Sequence, residues 1–243
     1  MPEVKFAIDY SIVEEENRGV PVIIVAAGSS SRMGGVNKMF SLLCGIPVVA
    51  RTMLVFERSP FISEIIVVTK EENIADIQHL GNNYMINKLS NVVKGGSDRL
   101  SSVLCGLECI KEARGVLVHD GARPFVSEAL IEKMAKASLT DNCAVCGIRV
   151  KDTIKTEDEG KVTTADRNKL YAVQTPQALN FGIYKRLLTE CKDRSVFTDD
   201  ASVMEAAGYN TVIIEGEESN FKITTPFDLK LAQFILTEGE KCE

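Results

Sequence analysis

Val22-Ile23-Ile24-Val25-Ala26, running directly into Ala27-Gly28-Ser29-Ser30-Ser31-Arg32-Met33-Gly34-Gly35-Val36-Asn37-Lys38, decides how the rest of the chain is read. An unbroken apolar run of this length has no polar face, so it predicts a strand covered on both sides, as in a parallel sheet. The small residues that follow let the backbone approach a ligand closely and turn its N–H groups toward phosphate oxygens. Arg32 and Lys38 add a planar fork and a point charge to the same loop, a pairing suited to a polyphosphate. The loop is not a P-loop, because no Lys-Ser or Lys-Thr pair follows its glycines, and G-x-G-x-x-G is absent too.

The same alternation continues outward from this segment. Apolar strands are expected at Ile65–Thr69, Asn91–Val93, Val116–His119 and Cys143–Val150. Helical spacing fits Ile46–Arg58, Glu71–His79 and Asp98–Glu112, and Ser127 is a good N-cap for a helix reaching Leu139. Strand–helix alternation implies an α/β fold, a mostly parallel open sheet with helices on both faces and ligands at the carboxyl ends of the strands. Residues 151–178 interrupt the rhythm with polar, β-prone pieces at Lys151–Lys155 and Lys161–Ala165 flanking Glu157-Asp158-Glu159-Gly160, and read as a projecting β-arm. Helices Phe181–Cys191, Asp199–Ala207 and Pro226–Leu236 and strands Thr211–Ile214 and Phe221–Ile223 then resume the pattern. Residues 1–18 read as a polar N-terminal extension and 19–243 as one domain.

Composition narrows the function. With 34 acidic against 28 basic residues in 243, the net charge of −6 disfavours a grip on long nucleic acid, which rests on neutralised phosphates. No apolar run approaches the ~20 residues of a membrane span, and the N-terminus lacks the basic-then-apolar order of a signal peptide, so a cytoplasmic protein is expected. The seven cysteines and two histidines form no recognisable zinc pattern and read as small apolar fillers and packed residues.

Three more clusters carry chemistry. Gly95-Gly96-Ser97-Asp98-Arg99-Leu100-Ser101-Ser102 puts glycines and hydroxyls at a helix start, where free N–H groups and the helix dipole favour an anion or a base edge. His119-Asp120-Gly121-Ala122-Arg123-Pro124 ends a buried strand with an Asp that can bind a divalent metal or a sugar hydroxyl, or bridge to Arg123. Asp166-Arg167, Gln174-Thr175-Pro176-Gln177, Thr198-Asp199-Asp200 and Asn220-Phe221-Lys222-Ile223-Thr224 add hydroxyls and cations. No nucleophile–base pair is visible. The implied chemistry is positioning and charge stabilisation around phosphate, as in phosphoryl and nucleotidyl transfer.

In this order the segments Ala26-Ala27-Gly28-x-x-x-Arg32-Met33-Gly34, Val118-His119-Asp120-x-Ala122-Arg123-Pro124, Gln174-Thr175-Pro176-Gln177, Thr198-Asp199 and Asn220-Phe221-Lys222-Ile223-Thr224 resemble the 2-C-methyl-D-erythritol 4-phosphate cytidylyltransferase family of the non-mevalonate isoprenoid pathway. The likeness implies a Rossmann-like core, a β-arm that builds a homodimer, and Mg2+-dependent transfer of CMP from CTP to a phosphorylated polyol. It assigns Arg32, Lys38 and Lys222 to the α-phosphate and Ala26, Ala27, Gly28, Gly96 and Ser102 to the nucleotide. Asp120, with a metal role as well, and Arg123, Thr153, Arg167, Thr175 and Thr198 fall to the acceptor. One departure is that Asn37, where the family has Pro, precedes Lys38, with one residue fewer back to Arg32. Ribitol 5-phosphate as acceptor is the alternative reading, and a non-catalytic nucleotide-binding regulator a further one. Against the regulator stands the joint presence of Arg32, Lys38 and Lys222.

Overall fold

Period-two alternation of side chains on five central strands separates the core into two halves. Strands β1 (Val20–Val25), β4 (Ile62–Thr69), β6 (Gly115–Asp120), β7 (Cys143–Arg149) and β10 (Tyr171–Asn180) carry them. In the computed structural model, which describes residues 19–28 and 37–239, Ile24, Val67, Leu117 and Ala178 face one layer and Ile23, Val68, Val118 and Leu179 the other. Helices α1 (Val48–Arg58), α2 (Ile74–Asn83) and α4 (Glu128–Thr140) cover the first face through Met53, Phe56, Ile77 and Met134. Helices α3 (Arg99–Cys109), α5 (Phe181–Glu190) and α6 (Asp200–Ala206) cover the second through Leu107, Tyr184 and Met204. Each large apolar side chain so buried contributes about 1.5–3 kcal/mol.

With β5 (Leu89–Lys94) and β11 (Val212–Glu215) the sheet has seven strands in the order β11-β7-β10-β6-β1-β4-β5. All neighbours run parallel except β10, which is antiparallel to both β6 and β7. The fold is therefore the expected α/β, Rossmann-like open sheet with helices on both faces, and Asp98 and Ser127 cap α3 and α4 through their side chains.

Several local expectations are corrected. The arm does not extend to 178: Tyr171–Asn180 is a strand in the middle of the sheet, with a register break between Val173 and Gln177 that leaves Pro176 outside the β7 ladder. Proline is tolerated at such a break and not within a regular ladder. What remains outside the sheet is the hairpin β8 (Lys155–Asp158) and β9 (Lys161–Thr164), exposed throughout and turned at Glu159-Gly160, where both φ values are positive. Ile46 does not begin a helix. Ile46–Pro47 (β3) pairs with Leu42–Leu43 (β2) across a Cys44-Gly45 turn, and α1 starts at Val48. Glu71–Asn73 is a single 3-10 turn ahead of α2. Phe221–Ile223 joins no strand. Phe221 and Ile223 instead pack with Leu43, Val48, Phe125 and the last helix, α7 (Pro226–Gly239), as a small third core.

Candidate active site

Three turns at the carboxyl ends of parallel strands meet, as the topology requires. Ala27 and Gly28 follow β1, Gly96 to Asp98 follow β5, and Asp120 closes β6. With Lys38, Arg99, Ser102, Ala122 and Lys222 they line a cavity of about 360 Å3. Ala26 is buried immediately behind it. The glycine turn is tight: a Cβ at Gly96 would stand 2.5 Å from the Ser101 Cβ, while one at Gly28 would meet nothing within 4 Å. Ser102 Oγ donates to the Asp98 carbonyl at 2.8 Å, so its lone pairs remain for a ligand.

A second cavity of about 420 Å3 shares Arg99, Asp120 and Lys222 with the first and adds Arg123, Gln174, Thr175, Gln177, Thr198 and Asp199. Asp120 lies at the seam. Lys222 Nζ is 2.8 Å from its Oδ2, Arg123 Nε 3.4 Å from Oδ2 and Arg99 Nε 3.8 Å from Oδ1. Burial raises its carboxyl pKa, yet the Lys222, Arg99 and Arg123 charges outweigh that and hold it well below the usual carboxylate range.

Lys222 reaches this point because its neighbours Phe221 and Ile223 are sunk in the third core. The segment is tied down further by Asn220, whose Nδ2 donates to the Thr175 carbonyl at 2.8 Å, and by Arg123, whose Nη1 donates to the Asn220 carbonyl at 2.7 Å. Ile223 N–H donates to the Ala122 carbonyl at 2.9 Å. Lys38 is buried and donates from Nζ to the Ile223 carbonyl at 3.0 Å, so it faces the cavity and braces the segment that carries Lys222 at once.

Gln177 anchors β10 to the start of α6, donating to Asp199 Oδ2 at 2.7 Å and accepting from Ala201 N–H at 2.9 Å. The Thr175 hydroxyl meets Asp120 N–H at 3.0 Å and His119 Nδ1 at 3.2 Å. Burial pushes the His119 imidazole down to about 4, so the ring is neutral near pH 7.

Of the residues expected at the site, Ala27, Gly28, Lys38, Gly96, Ser102, Asp120, Arg123, Thr175, Thr198 and Lys222 come together in the two cavities. Thr153 and Arg167 do not: both are exposed near the arm, and Arg167 Nη1 donates to the Lys151 carbonyl at 3.3 Å. Arg32 lies outside the described residues. Sequence reading missed a role for Arg99. It lines both cavities, and its Nη2 is 2.7 Å from Oδ2 of the fully buried Asp200, whose Oδ1 accepts from Tyr184 at 2.5 Å. The visible signal was its place directly after the helix cap Asp98, in the first turn of α3 facing the glycine turn.

Among the described residues no three His, Cys, Asp or Glu side chains gather to hold a metal. Asp120 is the carboxylate at the seam, with Oδ1 3.8 Å from its cationic neighbour Arg99. Mg2+ commonly takes one or two carboxylates and completes its shell with substrate phosphates and water, and a carboxylate that lines both cavities meets that protein share. No helix among the described residues is long and apolar enough to cross a membrane.

A family model described as "IspD: 2-C-methyl-D-erythritol 4-phosphate cytidylyltransferase" matches residues 20–238. Enzymes of that name from Halalkalibacterium halodurans (41% identical over 223 residues, covering 90% of this chain and 98% of the relative) and Alkaliphilus metalliredigens (43% over 234 residues, 92% and 97%) are similar along nearly their whole length. Among solved structures, 4-diphosphocytidyl-2C-methyl-D-erythritol synthase from Anaerococcus prevotii superposes with a TM-score of 0.81 at 28% identity, covering 93% of this chain and 99% of that one. The cytidylyltransferase from Thermus thermophilus gives 0.72 at 28%, covering 88% and 98%.

Proposed function

The chain belongs to the 2-C-methyl-D-erythritol 4-phosphate cytidylyltransferase family, and from that premise we propose how its residues divide the work of moving CMP from CTP to 2-C-methyl-D-erythritol 4-phosphate. An oxygen of the acceptor phosphate attacks the α-phosphorus of CTP, the bond to the β,γ-pyrophosphate breaks, and 4-diphosphocytidyl-2-C-methyl-D-erythritol is formed. The acceptor phosphate is already largely dianionic at neutral pH, with a second pKa of about 6, so no general base is needed. The demand is for positive charge around the α-phosphate as the transition state forms.

The observation that carries the reading is the seam, where two cavities of ligand size share Arg99, Asp120 and Lys222. CTP occupies the first cavity, its phosphates against the backbone of Ala27 and Gly28, with Ala26 packed beneath them and its N–H held by the Val68 carbonyl, and its base toward Gly96 and Ser102. The Ser102 lone pairs suit the amino group of cytosine. The acceptor occupies the second, near Arg123, Thr175 and Thr198. Lys38 and Lys222 then stand beside the reacting phosphorus, with Arg32 assigned there from the loop motif. Asp120 and the phosphates would hold Mg2+, which supplies charge neutralisation.

The direct test is pyrophosphate release with CTP, Mg2+ and the methylerythritol phosphate. Activity confined to CTP among CTP, ATP, GTP and UTP is expected, with ribitol 5-phosphate a poor acceptor. Equal turnover of ribitol 5-phosphate would move the chain's acceptor to the alternative.

We assign Thr153 and Arg167 to the site of a partner subunit in a cytoplasmic homodimer. Two-fold symmetry would let each exposed arm reach the other's acceptor cavity. Lys38→Ala and Arg167→Ala proteins, each inactive alone, should regain activity after subunit exchange. Half the dimers are then mixed and each holds one intact site, so roughly a quarter of all sites recover. Activity that stays at parental levels, with exchange verified by mass, would return Arg167 to its own subunit.

A further inference from the structure

His119 takes part in no step of the transfer, yet it is fully buried, edge-on to Phe56 at 4.8 Å, with both ring nitrogens occupied. Its Nε2 lies 3.0 Å from the Arg123 carbonyl. A carbonyl oxygen only accepts, so Nε2 carries the proton; the ring is fully buried and its two nitrogens meet a carbonyl and a hydroxyl, both uncharged, so it carries no second proton and Nδ1 is an acceptor. The partner of Nδ1 is Thr175 Oγ1 at 3.2 Å, so the threonine proton points at the histidine. The same oxygen accepts from Asp120 N–H at 3.0 Å. A hydroxyl has one proton and two lone pairs, so one lone pair is left. Thr175 lines the acceptor cavity.

We propose that His119 is a positioning residue: by taking the Thr175 proton it holds the Asp120–Arg123 turn at both ends and leaves Thr175 able only to accept at the acceptor cavity. An alcohol of the acceptor can donate to that lone pair. A phosphate dianion, which only accepts, finds no proton there. The hydroxyl end of the acceptor therefore belongs beside Thr175, and its phosphate elsewhere. This deepens the assignment of the second cavity and rests on it for the choice of substrate.

Two measurements test it. In the wild-type enzyme at pH 7, 15N NMR of histidine-labelled protein should show His119 protonated at Nε2 and bare at Nδ1; the opposite tautomer overturns the proposal and needs no variant. In steady-state assays, Thr175→Val and His119→Phe should each cut kcat/KM for the acceptor about tenfold, the effect of one lost hydrogen bond, with KM for CTP within about twofold. Thr175→Ser should restore activity. Because both act through one hydrogen bond, the double variant should be no worse than about twofold beyond the weaker single. A double variant down about a hundredfold would mean that Thr175 serves the substrate independently of His119. A fall in Tm with unchanged kinetics would reduce the pair to scaffolding. A wild type that releases no pyrophosphate would fail the functional assignment while the tautomer spectrum still decides this one.

Discussion

Lys222→Ala should lower kcat about 10²- to 10³-fold while leaving the melting temperature nearly unchanged. The size is that of removing one fixed donor to a developing oxyanion. Stability should hold because Arg99 and Arg123 remain beside the Asp120 carboxylate and the segment is seated by Phe221 and Ile223 in the third core and by Asn220, none of which the substitution touches. CTP affinity by calorimetry should change far less than kcat, since the glycine turns and Ser102 are intact. Lys38→Ala should be comparably severe for a second reason: it removes a cavity cation and also the bond to the Ile223 carbonyl that steadies the Lys222 segment. The two losses then overlap, and the Lys38/Lys222 double variant should fall well short of the product of the singles. A Lys222→Ala enzyme with kcat within about threefold of wild type would take this residue out of the mechanism.

Asp200→Ala should produce the largest loss of stability. Asp200 is fully buried, and removing it strands the Arg99 guanidinium and the Tyr184 hydroxyl together. Burial works against the arginine's charge and Asp200 is the neighbour that offsets this. Breaking a buried pair from one side costs about 3–5 kcal/mol. For a chain of this size that corresponds to a drop in Tm of about 10 °C or more. Replacing both charged partners, Arg99→Met with Asp200→Leu, should recover part of the stability, because the Arg99–Asp200 charges go together while the Tyr184 hydroxyl stays without its acceptor. It should not recover activity, since the guanidinium lines both cavities. Thermal melts and pyrophosphate release on the same three proteins decide this. A double variant that regains both would make the pair purely structural.

The sheet was legible wherever the burial of a strand was apolar. Val22–Ala26 and Val116–His119 carry their own evidence. Strand β10 does not, because its middle residues Gln174, Thr175 and Gln177 are buried by hydrogen bonds and not by hydrophobicity, with partners at Glu217, Asp120 and Asp199 far along the chain. A Pro within the same stretch completes the look of a loop. Phe221–Ile223 misleads in the reverse direction: its alternation is real, but it serves to seat one lysine and not to form a ladder. At the site, the placement of Gly28, Gly96 and Asp120 in turns at the ends of parallel strands was readable from local spacing. Arg99 was not, since what distinguishes it from any surface arginine in a first helical turn is Asp200, on another helix. The separation of Thr153 and Arg167 from the cavities could not be seen either, because nothing local records which way a polar hairpin points.

The chain leaves the sheet after Arg149 and re-enters at Tyr171, and these two residues are register partners across β7 and β10, with Val150 N–H bonded to the Leu170 carbonyl at 3.3 Å just beyond them. Topologically, everything between is the loop of one long hairpin, closed at its neck by the ladder itself. Closure entropy rises only as the logarithm of loop length, by about 0.6 kcal/mol per doubling. The arm is thus a cassette: insertions, deletions or wholesale replacement at its tip are almost free to the catalytic core. Its sequence can drift at the pace set by whatever it touches, while the two strands that carry it, one of them holding Thr175 and Gln177, stay bound to the chemistry.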